Sequence, residues 1–449
     1  MNKERLQTQI QDFPIFEASG RIIQSVGTML EARIPFARLG ARCKILKSVD
    51  QPVQTGRDAE VVGFKKDVAL LMAYEDSLGL SQESVAVLTQ PSSLATVGSF
   101  LLGRVINAKG EPLDSKGPFE FQLVAQNMGI YTSRELYRLP SHPIGRARIT
   151  ESLDLGVRAL NGLVTCGRGQ RIGIMAGSGV GKSMLLGMIS RFTDADINVI
   201  ALVGERGREV GEFLDRDLGP EVLKRSVVVV ATSDQSALLR TRAAFLATTI
   251  AEYFRDQKKH VLLMMDSVTR FCMAQREIGL AVGEPPASKG YTPGVFAMIP
   301  KLLERAGTGI AGGSITGIYS VLVDGDDLDE PIADATRGIL DGHVVLSRKL
   351  AQRGHFPAID ILQSTSRVMH QVVSLEHKAL AAQLREWLAI YTQMEDLIQI
   401  GAYVKGSHPK TDQAIAIYDQ LEGFLRQGFD ARCSMQDTLL QMLAIVRKA

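Results

Sequence analysis

Ile172-Gly173-Ile174-Met175-Ala176-Gly177-Ser178-Gly179-Val180-Gly181-Lys182-Ser183 is the stretch whose reading decides the fold. Its opening residues make an apolar strand, its centre is a glycine-rich loop, and a helix is expected to begin near Met184. Glycines let backbone N–H groups converge on phosphate oxygens, and the N-terminus of the following helix adds a favourable dipole. Lys182 would neutralise the β- and γ-phosphates of a nucleotide, and the Ser183 hydroxyl would bind Mg²⁺. The residues from Ala176 through Gly177, Ser178, Gly179, Val180 and Gly181 to Lys182 and Ser183 are therefore expected to bind nucleotide as a P-loop. Ala176 stands where the strict pattern has glycine, and a small residue still fits there.

Two further segments fit that context. The apolar run Val261–Met265 ends in Asp266, and in a P-loop fold such a carboxylate holds the Mg²⁺ ion. Gly204-Glu205-Arg206-Gly207-Arg208-Glu209 directly follows the apolar run Asn198–Val203. Ligands of an open parallel sheet lie at the carboxyl ends of its strands, so Glu205 would face the γ-phosphate and polarise the attacking water. A charged, solvated turn is the plainer reading of the same residues.

Outward from this site, buried strands are expected at Arg171–Met175, Asn198–Val203, Ser226–Ala231, Val261–Met265 and Ile318–Val323. Helical stretches separate them, such as Ala237–Arg255 with Leu239, Leu246, Ile250 and Phe254 on one side. Near-continuous apolar strands alternating with helices imply a parallel sheet covered on both faces. Beyond about Val372 only helical patterns remain, at Leu380–Ile400, Thr411–Arg426 and Met435–Val446. Between Ser19 and about Gln90 short strand-like runs broken by glycine (Arg21–Ile23, Cys43–Leu46, Ala59–Phe64, Ala69–Met72) suggest a small β-barrel. The expected division is an arm over 1–18, a barrel over 19–92, a P-loop domain over 93–371 and a helical domain over 372–449. In the arm Leu6, Ile10 and Phe13 have helix-like spacing; a frayed terminus is the alternative.

Composition narrows the class. A chain of 449 residues calls for two or three domains, and its balance of 51 basic against 49 acidic residues leaves a net charge of +2. That balance argues against a protein whose main task is coating nucleic acid. Cys43, Cys166, Cys272 and Cys433 show no paired spacing, so neither a disulfide framework nor a zinc site is indicated. The polar start Met1–Phe13 lacks the apolar stretch of a signal peptide, and no apolar run is long enough to span a membrane. A cytoplasmic protein is expected.

Taken together, these segments resemble the catalytic subunits of the rotary ATP synthase superfamily, and within it the flagellar and type III secretion export ATPases. The matching text includes Arg148–Glu151 onward through Ser183, Gly204–Glu209, Ala251–Asp256, Met273–Ile278, Gly283–Ala287, Ile339–His343, Pro357–Asp360, Ser364–Arg367 and Ile400–Tyr403. The resemblance implies an α/β P-loop NTPase fold, with a RecA-like parallel sheet carrying helices on both faces, an N-terminal β-barrel and a C-terminal helical domain. It implies hydrolysis of ATP to ADP and phosphate with Mg²⁺, in a homohexamer whose sites lie between subunits. By the same resemblance Glu205 is the catalytic carboxylate, Arg206 a γ-phosphate contact and Arg270 a second positive group. Phe356 would flank the adenine ring, with Phe429 as its partner. Arg367 matches the arginine that enters the neighbouring subunit's site; an intramolecular salt bridge is the alternative.

The family's partners are a stator-like regulatory protein at the N-terminal arm, a coiled-coil stalk in the pore, export chaperone–substrate complexes, and a membrane export gate reached peripherally. Three rival readings remain. A proton-pumping rotary subunit is disfavoured by the text around Met273–Ala287, and a non-catalytic nucleotide-binding subunit would lack the carboxylate at Glu205. A ring translocase of nucleic acid would need stacking aromatics in its barrel. Ser19–Gln90 offers only Phe36, Phe64 and Tyr74.

Overall fold

The computed structural model describes residues 18–75, 78–81, 83–119 and 131–448. The expected arm lies outside these residues apart from Ala18. Strands β1 (Ser19–Val26), β2 (Met29–Ala32), β3 (Arg42–Leu46), β4 (Arg57–Lys65), β5 (Val68–Ala73) and β6 (Val85–Gln90) form a closed barrel in the order β1-β2-β5-β4-β3-β6. Every pairing is antiparallel, and Ser19 opposite Val87 closes the ring. Closure leaves no unpaired edge. Alternate residues such as Leu30, Ala32, Cys43, Ile45, Ala59, Val61 and Leu71 fill the interior.

After the barrel, β7 (Leu94–Gly98) pairs antiparallel with β9 (Tyr131–Glu135), whereas β8 (Arg104–Asn107) joins the main sheet. The short pair β10 (Ser152–Leu153) and β11 (Cys166–Gly167) precedes the P-loop strand β12 (Arg171–Ala176). The remaining strands are β13 (Ile197–Val203), β14 (Ser226–Ala231), β15 (His260–Asp266), β16 (Gly307–Thr308), β17 (Ser314–Leu322), β18 (Gly342–Leu346) and β19 (Ile359–Ser366). The main sheet runs β19-β18-β12-β17-β15-β13-β14-β8, with β16 paired to β17. Its neighbours are parallel except β19 and β16.

Both faces are covered, as the apolar strands require. Along β13, Val199, Ala201 and Val203 point into one core, shared with the helix Ala237–Asp256. Ile200 and Leu202 point into the other, shared with the helix Lys182–Phe192. This second core continues without a break into the C-terminal helices Leu375–Gln399, Pro409–Leu425 and Met435–Val446 through Leu384, Trp387, Leu421, Phe424 and Met442. Ser374 and Ser434 cap the first and third of these helices by accepting backbone N–H bonds from His377 and Asp437. Among the described residues no helix is long and apolar enough to cross a membrane.

Barrel and sheet are joined by a buried polar network. In β4, Ala59 and Val61 face the barrel interior, so Glu60 faces outward, yet it is buried against the nucleotide-binding domain. Its Oε2 accepts from the Tyr74 hydroxyl at 3.0 Å and from Ser93 at 3.3 Å, and the Arg242 guanidinium lies 3.6 Å away. Arg242, itself fully buried, also donates to Ser93 and to the Ala108 carbonyl. Of the three barrel aromatics, Tyr74 is consumed in this network, while Phe36 and Phe64 are exposed.

Candidate nucleotide site

The P-loop connects β12 to the helix Lys182–Phe192, which begins two residues before the expected Met184. Gly181 occupies the N-cap at φ 93°, where a side chain would be strained and would also lie 3.3 Å from the Phe356 ring. At Gly177 an added Cβ would fall 2.6 Å from Asp326 and 2.7 Å from Arg348. Those two residues form an ion pair at 3.3 Å beside the loop, and Arg348 also donates to the Ser178 carbonyl at 3.4 Å. Neither was singled out from the sequence. Ser183 is exposed on the first helical turn.

Parallel pairing brings the other groups to the same end of the sheet. Asp266 closes β15, and Glu205 follows β13. The Lys182 ammonium contacts the Asp266 carboxylate and stands 3.5 Å from Glu205 Oε1. All three side chains are largely buried, at 12, 8 and 13% exposure. Burial alone would lower the Lys182 pKa, but the charges of Asp266 and Glu205 overrule it and the net shift is upward. Glu205 is pushed up to about 7, first by burial and then by the negative charge of Asp266, against the opposing pull of Lys182. Glu205 also shares a hydrogen bond with Glu209, whose own carboxyl is held below the usual range chiefly by that bond. Asp266 Oδ1 accepts a second hydrogen bond, from Ser320 Oγ at 2.6 Å.

Not every expected residue converges. The aliphatic part of Arg270 packs over Gly204, and its buried Nε has no hydrogen-bond partner among the described residues. Such an orphaned donor beside Gly204, at the end of β13, fits a polar partner that enters this part of the site. Arg206, in contrast, is 77% exposed and pairs with Glu209 at 3.1 Å. Phe356 lies against the P-loop, and its carbonyl accepts the Gln427 N–H at 2.9 Å. This bond places the turn before Phe429 next to the P-loop side of the sheet. The Phe429 ring, however, lies under the Arg191 guanidinium at 3.9 Å.

Arg367 is exposed just beyond the end of β19. Because β19 runs antiparallel to β18, Ser366 pairs with Gly342 while Ile359 pairs with Leu346. Leu346 is level with Ala176, so Arg367 lies at the opposite end of the sheet from its own P-loop. Four residues of strand separate the two levels, roughly 13 Å at the usual rise. Arg367 donates to the Arg337 carbonyl at 3.3 Å and makes no ion pair among the described residues.

The donor set suits a Mg-nucleotide: a glycine loop, one lysine, an orphaned arginine nitrogen, and a hydroxyl and carboxylate at Ser183 and Asp266. Among the described residues no cluster of three or more His, Cys, Asp or Glu exists that would bind a metal without nucleotide.

Residues 156–366 match the model of the ATP synthase alpha/beta family, nucleotide-binding domain, and residues 373–444 match the T3SS EscN ATPase C-terminal domain. The chain is 50% identical over 432 residues to the flagellum-specific ATP synthase of Bacillus subtilis, covering 96% of this chain and 95% of that protein. It is similar to the assembled ATPase EscN of the enteropathogenic E. coli type III secretion system, with TM-score 0.88, 46% identity, and coverage of 95% of this chain and 100% of the chain in that structure. EscN in complex with its central stalk EscO matches with TM-score 0.85, again at 46% identity and with coverage of 95% and 100%. At this identity and coverage, the chain belongs to the family of flagellum-specific ATP synthases and type III secretion ATPases.

Proposed function

We propose that the chain turns over Mg-ATP at sites shared between neighbouring copies, Lys182 of one facing Arg367 of the next. The enzyme is an ATPase of the flagellar and type III export class. The observation that carries the site assignment is Lys182 held between Asp266 and Glu205 at the mouth of the P-loop. When phosphates arrive, the ammonium turns to them and releases both carboxylates. Glu205, ionised, then accepts a proton from the attacking water, and Glu209 helps to hold its orientation. Bound Mg²⁺ would supply charge neutralisation at the β- and γ-phosphates, held through Ser183 and Asp266. Arg270 would contact phosphate through its unpaired nitrogen, and Arg206 would reach the γ-phosphate by leaving Glu209. Phe356, with Phe429 once its ring leaves Arg191, would flank the adenine.

A homohexameric ring is the assembly we infer, with a coiled-coil stalk in its pore; EscN is an assembled ATPase and binds a central stalk, EscO. The regulatory protein at the arm, chaperone–substrate complexes on the helical domain, and peripheral docking on a membrane export gate from the cytoplasm extend the same reading. Domain limits after residues 92 and 371 are proposed because β6 ends at Gln90 and the family's C-terminal segment begins at 373. Glu205→Gln tests the catalytic core. The amide should bind Mg-ATP with near-normal affinity and lose most turnover. Collapse of nucleotide affinity would instead make Glu205 a binding residue.

A further inference from the structure

The strand that carries Ser320 lies between the two that carry the P-loop and Asp266. In the order β12-β17-β15, Ile174 pairs with Ser320 and Met265 with Tyr319. Eight of the nine residues of β17 are buried, and Ser320 is fully so. A hydroxyl in the middle of a sheet is costly unless it is hydrogen-bonded. This one donates to Asp266 Oδ1 at 2.6 Å, a length typical of a charge-assisted bond.

We infer that Ser320 is a positioning residue for the Mg²⁺-binding carboxylate. The inference rests on the Mg²⁺ role proposed for Asp266. Lys182 and Ser320 both donate to Oδ1. Oδ2 remains for the hydrated ion. Once Lys182 turns to phosphate, Ser320 is the side chain among the described residues that still donates to Asp266. It then fixes the carboxylate's rotation. Partners behind a metal ligand commonly change ion affinity by about 10–100-fold.

The test is Ser320→Ala, nearly isosteric, read by binding rather than by turnover. A fluorescent ADP analogue is titrated onto the assembled protein without Mg²⁺, and then MgCl₂ is added at fixed nucleotide. The Mg²⁺ concentration that gives half of the metal-dependent change should rise about tenfold, while Mg²⁺-free affinity stays within about twofold. Ser320→Cys keeps the size with a weaker donor and should fall between; it also serves should the alanine variant fail to fold. A wild-type Mg²⁺ midpoint in either folded variant would overturn the inference. So would an equal loss of Mg²⁺-free affinity, which marks general damage to the cleft. If the wild-type chain itself shows no Mg²⁺ dependence, the proposed Mg²⁺ role of Asp266 fails, and the Ser320 inference, resting on it, falls too; the wild-type titration thus tells that failure apart from a failure of Ser320 alone.

Discussion

Glu205 stands 3.5 Å from the Lys182 ammonium and is nonetheless held up at about 7, because burial and the charge of Asp266 outweigh that one cation. A base must be ionised to accept a proton. In the free enzyme kcat/KM should therefore rise with pH and level off above about 7. The same shift has a stability consequence of fixed sign. The folded chain holds the Glu205 proton more tightly than the unfolded chain does. This contributes stability below the unfolded value near 4.5, and the contribution is lost as pH rises through about 7. Without nucleotide, Glu205→Gln should thus melt higher than wild type above pH 7, by roughly a few degrees, and the gap should close on acidification. A gap independent of pH would mean that Glu205 is not the titrating group.

Removing Lys182 exposes the opposite side of this arrangement. Lys182→Ala should abolish hydrolysis, since no other lysine is in the loop to meet the phosphates. The glycines set the loop's shape, so circular dichroism should show the native fold. The buried Asp266 and Glu205 nevertheless lose their shared cation, a change that costs about 3 kcal/mol when carboxylates are left uncompensated. Glu205 can absorb part of this by taking up a proton. Denaturant titration should therefore show a larger deficit at pH 8 than at pH 6.

How much of this was legible follows from what each residue depends on. The P-loop, Asp266 and Glu205 were readable because each ends an apolar strand, and strand ends in a parallel sheet share one edge. Ser320 and the Asp326–Arg348 pair were not, because they meet the site only through the spatial order of strands β12, β17 and β15 and through the chain's return over the loop. Likewise, alternation in β4 assigns Glu60 to an outward face but says nothing of the domain that covers it. The antiparallel direction of β19, which removes Arg367 from its own P-loop, leaves no mark on local composition. Resemblance named Phe429, yet only the packing shows its ring under Arg191.

The Glu60–Arg242 network makes the barrel's attachment testable. Arg242→Ala leaves Glu60 buried beside empty space and removes donors to Ser93 and Ala108, so the loss should be about 3–5 kcal/mol. Glu60→Gln keeps the shape and the Tyr74 contact but leaves the buried Arg242 without its anion, so its loss should also reach about 3 kcal/mol. Limited proteolysis should release the barrel from the alanine variant first. A much smaller loss in Glu60→Gln than in Arg242→Ala would mean that packing, not charge, joins these domains.

Arg367 lies at the far end of the sheet from Lys182 of the same chain, separated from it by the register of β19, β18 and β12. In the proposed ring of identical subunits meeting head to tail, that end would face a neighbour's P-loop. Isolated subunits should then hydrolyse slowly, and activity should rise faster than linearly with protein concentration. Arg367→Ala should bind nucleotide but turn over on the order of 10³-fold more slowly than the assembled wild type. Lys182→Ala subunits should be equally inactive for the opposite reason, since they present a finger but no phosphate-binding lysine. In mixed rings some interfaces join an intact Lys182 to an intact Arg367, so combining the two dead variants should restore part of the activity. Recovery should follow the fraction of such interfaces as the mixing ratio is varied, peaking near equal amounts. If co-assembled mixtures stay inactive at every ratio, Arg367 does not act across the interface, and its place at the end of β19 serves the fold alone.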